Sequence, residues 1–206
     1  MLNQPQLQFL KQIKKKFSTA EIFLVGGGAR DILLKRPFKD YDFVIKNVAP
    51  ADLQNFLKKI GQVNLVGKHF GVFKFRAKVK NKKKLKSASK IDIDIALPRA
   101  EAGWGTGRHQ DFTVQVNPNL DIVQDLQRRD FTINAIAYDI FKNKIIDPFG
   151  SELDLKNKTI RAVLDPKKRF KEDFSRLMRA IRLALVLNFK IEKKTWQAIK
   201  TLNKKL

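Results

Sequence analysis

The sequence predicts an α/β fold, and three observations carry that reading. A short apolar run, Ile22–Val25, stops at Gly26, Gly27 and Gly28, which reads as a buried strand ending in a tight turn. The stretch IDIDIAL, Ile91–Leu97, alternates strictly, so it reads as a half-buried strand with Asp92 and Asp94 on one face. From about Lys168 onward, apolar residues recur at helical spacing.

The remaining elements follow in chain order. In MLNQPQLQFLKQIKKKF, the residues Leu7, Leu10, Ile13 and Phe17 recur every three or four positions, the pattern of an amphipathic helix packed on a core. The same stretch lacks the long apolar segment of a signal peptide. Ala29–Leu34 begins a short helix that Pro37 ends, and Tyr41–Ile45 is a second strand. Pro50–Ile60 carries Leu53, Phe56, Leu57 and Ile60 at helical spacing. Val63–Val66 and Val72–Val79 read as strands joined by the turn GKHFG. Lys78–Lys90 is a polar, basic, solvated loop, and the Gly-rich Pro98–Asp111 is a second basic loop. Phe131–Asp139 reads as an apolar helix after RRD, and Lys144–Ile146 as a short strand leading to DPFG.

Arg169–Phe189 reads as one long helix. At about 100° per residue, Phe174, Leu177, Met178, Ile181 and Leu185 form its apolar arc, opposite Glu172, Arg176 and Arg179. Past Arg182 it is apolar all round and is expected to be buried. Glu192–Leu206 begins another helix, with Trp196 and Ile199 on one side.

Composition narrows the function. Lysine and arginine number 43 against 20 acids, a formal charge of +23 that points to a polyanionic partner. Nucleic acid is the first candidate and an anionic membrane surface the second. The absence of cysteine excludes disulfides and thiolate zinc sites and fits a reducing cytoplasm. His69 and His109 are the only histidines, which excludes a histidine-rich metal site. No window approaches 18 apolar residues, so no membrane-spanning helix is expected. With 206 residues at 43% hydrophobic content, the chain can form one good core, or one domain with a smaller one appended.

Against this basic background, Asp40 and Asp42 stand one residue apart at a strand start, where residues i and i+2 share a face. Such a pair suits magnesium, which takes carboxylate and substrate phosphate oxygens. Asp94 or Asp92 can supply a third acid from a neighbouring strand. Gly26–Gly28, between strand and helix, can turn backbone N–H groups toward a phosphate, and Arg30 adds a planar cationic donor. In RRDFTINA, Arg128–Ala135, two arginines and an acid at a helix start can hold a triphosphate and a ribose hydroxyl. In EDFSRLMRAIR, an acid and an arginine on one rigid helix can offer acceptor and donor to a base edge.

Taken in order, VGGGARD, DYD, IDIAL, RRDFTINA, DPFGSELDLKNKTIR and EDFSRLMRAIR resemble the class II tRNA nucleotidyltransferase and bacterial poly(A) polymerase family over about Ile22–Leu187. The resemblance implies a nucleotidyltransferase-type head, residues 1–150, with a mixed, mostly antiparallel sheet flanked by helices. An α-helical neck, residues 151–206, would follow, truncated at its C-terminal side. It assigns Asp40, Asp42 and Asp94 to catalysis and to a two-ion magnesium site. Gly26, Gly27 and Arg30 fall in its glycine motif, Arg129, Asp130 and Asn134 in its second nucleotide-binding motif. Asp173 and Arg176 match the pair that reads the Watson–Crick edge of CTP or ATP, and Arg179 and Arg182 continue an arginine ridge toward the triphosphate. Asp147 and Gly150 of DPFG match a structural junction between head and neck.

The activity so implied is template-independent addition of CTP- and ATP-derived nucleotides to the 3′ end of tRNA, in the cytoplasm. Poly(A) addition and partial CC- or A-addition stand as alternatives, and a non-catalytic RNA-binding module is the alternative of another class. A loop at Lys78–Lys90 favours full CCA addition over CC addition within this family.

Overall fold

The structure, a computed structural model, describes residues 2, 4–66, 72–78, 92–103 and 112–203. After a short 3₁₀ turn, Pro5–Leu7, come α1 (Gln8–Lys16), β1 (Glu21–Val25), α2 (Gly26–Leu33), β2 (Tyr41–Lys46), α3 (Pro50–Ile60), β3 (Gly61–Val66), β4 (Val72–Ala77) and β5 (Ile93–Ala96). A hairpin follows, β6 (Arg99–Gly103) and β7 (Phe112–Val116), then α4 (Ile122–Gln127), a 3₁₀ turn at Thr132–Asn134, β8 (Ala137–Asp139) and β9 (Lys144–Ile146). The chain then runs through α5 (Ser151–Lys156), β10 (Thr159–Ile160), α6 (Pro166–Glu172), α7 (Ser175–Leu187), β11 (Lys190–Ile191) and α8 (Lys193–Leu202).

The main sheet has seven strands in the order β3-β4-β5-β2-β1-β8-β9. Its β2–β5 pair is parallel and the other neighbours are antiparallel, so the fold is mixed α/β with a mostly antiparallel sheet. Apolar side chains cover both faces. Phe43, Ile45 and Phe75 pack with Leu10 and Ile13 of α1 and Leu53 and Leu57 of α3. On the other face, Phe23, Val25 and Val44 meet Ile122 and Leu126 of α4. Strands covered on both faces need no polar alternation, which explains the unbroken run Ile22–Val25. A further cluster joins Leu155, Phe170, Leu177, Ala180, Ile199 and Leu202 of the helical part to Phe131 and Ile133.

Several readings of local structure need correction. Helix α2 starts at Gly26 itself, straight off β1, so the glycines form its first turn and are not a turn ahead of it. Arg99–Gly103, read as loop, is a strand paired antiparallel with β7. Phe131–Asp139, read as a helix, is the 3₁₀ turn followed by β8, which pairs with β1. That run is apolar because both faces of β8 are covered, and a short run of this kind carries no period to tell strand from helix. The true helix, α4, precedes RRD, so Arg128–Ala135 leaves a helix end instead of starting one.

The long helix is two. Asp173 is extended at φ −155° and ψ 105°, which separates α6 from α7. The buried stripe of α7 is Leu177, Ala180 and Leu187, while Met178, Leu185 and Val186 are exposed, so the burial expected past Arg182 does not occur. On α8, Ile199 is buried with Ala198 and Leu202, whereas Trp196 is largely exposed beneath Lys200. The GKHFG turn, residues 79–90, residues 104–111 and both histidines lie outside the described residues.

Candidate active site

A cavity of about 1000 Å³ opens between the central strands β1, β2 and β5 and helices α6–α7. Every site residue expected from the sequence borders it: Asp40, Asp42 and Asp94 at one end, Gly26, Gly27 and Arg30 beside them, then Arg129, Asp130 and Asn134, and finally Asp173, Arg176, Arg179 and Arg182.

The acidic end is built by strand register. Asp42 and Asp94 are directly paired across the parallel strands β2 and β5, so their side chains share one face of the sheet. Asp42 lies two residues from Val44, on the face that packs against α4. Asp40 is exposed, one residue before β2 begins. Asp92, the other candidate third acid, lies outside the cavity and accepts from Arg76 at 2.6 Å near the surface. Burial, and then the neighbouring Asp94, raise the Asp42 carboxyl above its ordinary value; Arg129 opposes this and Asp40 adds to it.

Gly26 connects the acids to the arginines. Its φ of +64° is left-handed, and a β-carbon there would lie 3.3 Å from Arg129 Nη1 and 3.5 Å from Asp42 Oδ2. Glycine therefore lets a cation and an anion close on the start of α2 from two sides. Arg30 lies in the next turn, doubly bonded to Asp31 and donating to Asn134 Oδ1 at 3.0 Å.

The opposite wall is arginine-rich, and its charges are held by acids. Arg179 donates to Asp130 Oδ2 from Nε at 2.9 Å and from Nη2 at 2.8 Å. Asp130 also accepts from the Phe131 backbone N–H and the Asn134 amide, so in the free chain it orders this wall. Arg176 donates to Glu172 and to the carbonyls of Arg169 and Arg128, while Arg169 donates to Glu172 and to the Gln127 carbonyl. These cations meet the last carbonyls of α4, where the helix dipole favours positive charge. Asp173, buried at the break between helices, accepts from the Ser175 N–H and so fixes the start of α7. Arg129 Nε is buried with no hydrogen-bond partner among the described residues, a donor that an entering anion would satisfy.

Three contributors were not singled out by the sequence. Arg99 and Arg169 border the cavity from β6 and α6. Asp125, fully buried in α4, accepts from both Arg128 and Arg129. Its helix was signalled by Asp121, whose side chain caps Val123 N–H, followed by Ile122 and Leu126 at helical spacing. Asp147 accepts from the Ser151 and Glu152 N–H groups, and Gly150 has φ +73°, so DPFG starts α5.

The family model of the poly A polymerase head domain matches residues 22–161. The chain belongs to the poly A polymerase head domain family. Among head-domain relatives it is 38% identical over 188 residues to a CCA-adding enzyme of Lactobacillus helveticus, covering 87% of this chain and 40% of that protein. It is 37% identical over 177 residues to a multifunctional CCA protein of Nitrosococcus oceani, covering 85% of this chain and 37% of that protein. The chain thus spans about two fifths of the length of these relatives. Its fold is similar to that of the Bacillus stearothermophilus CCA-adding enzyme in complex with CTP, at TM-score 0.71 and 30% identity over 93% of this chain and 41% of that one. A tRNA nucleotidyltransferase complexed with a primer tRNA and an incoming ATP analogue aligns at TM-score 0.69 and 31% identity, over 94% of this chain and 49% of that one.

The donor set at the acidic end fits a hard divalent cation. Asp42 and Asp94 offer only carboxylate oxygens, and their mutual repulsion is what a cation would relieve. Among the described residues no group of three or more acids forms a ready-made metal cluster. Magnesium is commonly held by one or two carboxylates together with substrate phosphates, which suits a pair better than a closed cage. Among the described residues no helix is long and apolar enough to cross a membrane.

Proposed function

We propose that this chain carries the nucleotidyl-transfer site of a CCA-adding tRNA nucleotidyltransferase, with residues 1–150 as catalytic head and 151–206 as nucleotide-selecting neck. The observation that carries the reading is one cavity with paired aspartates at one end and an ordered arginine wall, ending in Asp173, at the other. The 3′-hydroxyl of the RNA would attack the α-phosphate of CTP or ATP. The new bond joins that oxygen to phosphorus, and the bond to pyrophosphate breaks.

The first-turn N–H groups of α2 and the Arg30 guanidinium would hold phosphates. Arg129 and Arg179 would bind the triphosphate, with Arg182 at the rim. Asp173 accepts and Arg176 donates, the complement of a Watson–Crick edge, so the protein takes the place of a template. Asp42 and Asp94, with Asp40, would hold two magnesium ions. When bound, these supply activation of the attacking hydroxyl and neutralisation of charge on the leaving oxygens. The net charge of +23 serves RNA affinity, which should fall steeply with salt.

The test is extension of a tRNA lacking its 3′ CCA, with each nucleotide offered alone and together. CTP alone adding two residues, and CTP with ATP adding three, is expected. ATP alone adding a long tract would favour poly(A) addition instead. Salt-sensitive RNA binding without any magnesium-dependent incorporation would overturn the enzymatic reading in favour of an RNA-binding module.

A further inference from the structure

Asp125 belongs to none of the motifs discussed above and does not border the cavity, yet it touches three arginines that do. Its side chain is fully buried. Oδ1 accepts from Arg128 Nε at 3.1 Å and Nη2 at 2.9 Å, and from the backbone N–H of Arg99 at 3.2 Å. Oδ2 accepts from Arg129 Nη2 at 3.4 Å. We propose that Asp125 is a positioning residue for the nucleotide site, a single buried carboxylate that holds Arg128 and Arg129 side by side and ties them to the start of β6.

The spacing makes this possible. Residues i+3 and i+4 of a helix lie over residue i, so one acid on the last turn of α4 can reach two consecutive arginines beyond its end. Two adjacent guanidinium groups repel, and a buried anion shared between them offsets that repulsion. With Asp125 in place, Arg129 keeps Nη1 directed at Gly26, where the phosphates are proposed to lie. The bond to Arg99 N–H adds a second element, because β6 belongs to the hairpin and not to the main sheet. The carboxyl is held below its ordinary value: burial opposes the charge, and Arg128 and then Arg129 outweigh it.

The inference rests on the reading that Arg128 and Arg129 meet the nucleotide, and the experiment separates the two claims. CTP is titrated calorimetrically into the 206-residue chain and into Asp125→Asn, Arg128→Ala/Arg129→Ala and the triple variant. Asp125→Asn is expected to weaken CTP binding by about tenfold or more. The triple variant is expected to match the double, because Asp125 then has no guanidinium to position. An Asp125→Asn loss that persists undiminished in the triple variant overturns the positioning role. CTP binding unchanged in Arg128→Ala/Arg129→Ala overturns the nucleotide reading itself. If Asp125→Asn alone does not fold, it is combined with Arg128→Gln, which removes one positive charge to balance the lost negative one. Affinity equal to that of Arg128→Gln alone then overturns the proposal.

Discussion

The two ends of the cavity treat charge in opposite ways. At the sheet end, Asp42 faces Asp94 with Arg129 in opposition, and its carboxyl is raised by burial and by like charge. Along the helical wall three acids hold five arginines: Asp125 holds Arg128 and Arg129, Asp130 holds Arg179, Glu172 holds Arg169 and Arg176. The first arrangement is under electrostatic stress and gains from an added cation. The second is ordered by its ion pairs, with Arg129 Nε left as a donor for an entering anion. On the proposed reading, chemistry that needs ions is thereby separated from recognition that needs fixed geometry, inside one cavity.

The largest effect that would break this contrast is on Asp42. On the proposed two-ion reading, Asp42→Asn is expected to reduce nucleotide incorporation by about a thousandfold or more, since losing an ion ligand removes several kcal/mol of charge stabilisation. The same change should raise the melting temperature at neutral pH. The folded pKa lies above the unfolded value of 3.8, so ionising Asp42 opposes folding at higher pH, and the gain should vanish as pH falls below 3.8. A variant that loses activity and stability together would point to misfolding instead.

Next in size is the helical wall. Asp125→Ala leaves two part-buried arginines without their anion, at a cost on the order of 3 kcal/mol. Its pH dependence is opposite in sign to that of Asp42. The folded pKa is depressed, so Asp125 stabilises above its unfolded value of 3.8 and the benefit is lost as pH falls through the lower folded value. Urea unfolding of wild type and variant should therefore converge in acid.

Asp173→Ala and Arg176→Ala sharpen the comparison without touching the acidic end. Each should relax discrimination between CTP or ATP and the other two nucleotides by about ten- to a hundredfold in kcat/KM, the range for one hydrogen bond to a charged group. Incorporation competition assays would read this directly.

The smallest effect is at Leu164, an exposed leucine at φ +59° beside the N-cap of α6. Relieving a left-handed β-carbon gains about 1 kcal/mol, and glycine's extra unfolded freedom offsets much of it. Leu164→Gly should shift the urea midpoint upward slightly and leave nucleotide affinity untouched.

How much of this was legible follows the same divide. The acids were readable because a strand's period of two puts Asp42 on a defined face, and IDIDIAL declared its own alternation. The arginine wall was readable as motifs but misread as structure. Phe131–Asp139, which follows RRD, reads as a helix because its apolar residues are buried in the 3₁₀ turn and in β8, and full burial erases periodicity. The long helix hid its break because Asp173 is equally acceptable on a helix surface and at a cap; only its extended backbone and its bond to Ser175 decide. Asp125 was invisible as a site residue. Nothing in VQDLQ distinguishes a buried acid serving two arginines from a solvated one.

The most direct test of the account is a calorimetric titration of CTP into wild type and Asp42→Ala, with and without magnesium. Wild type should bind one CTP, more tightly with magnesium, and Asp42→Ala should keep the magnesium-independent affinity of the arginine wall while losing the increment. Binding by wild type that is indifferent to magnesium, or equal loss of both parts in Asp42→Ala, would contradict the separation of the two ends.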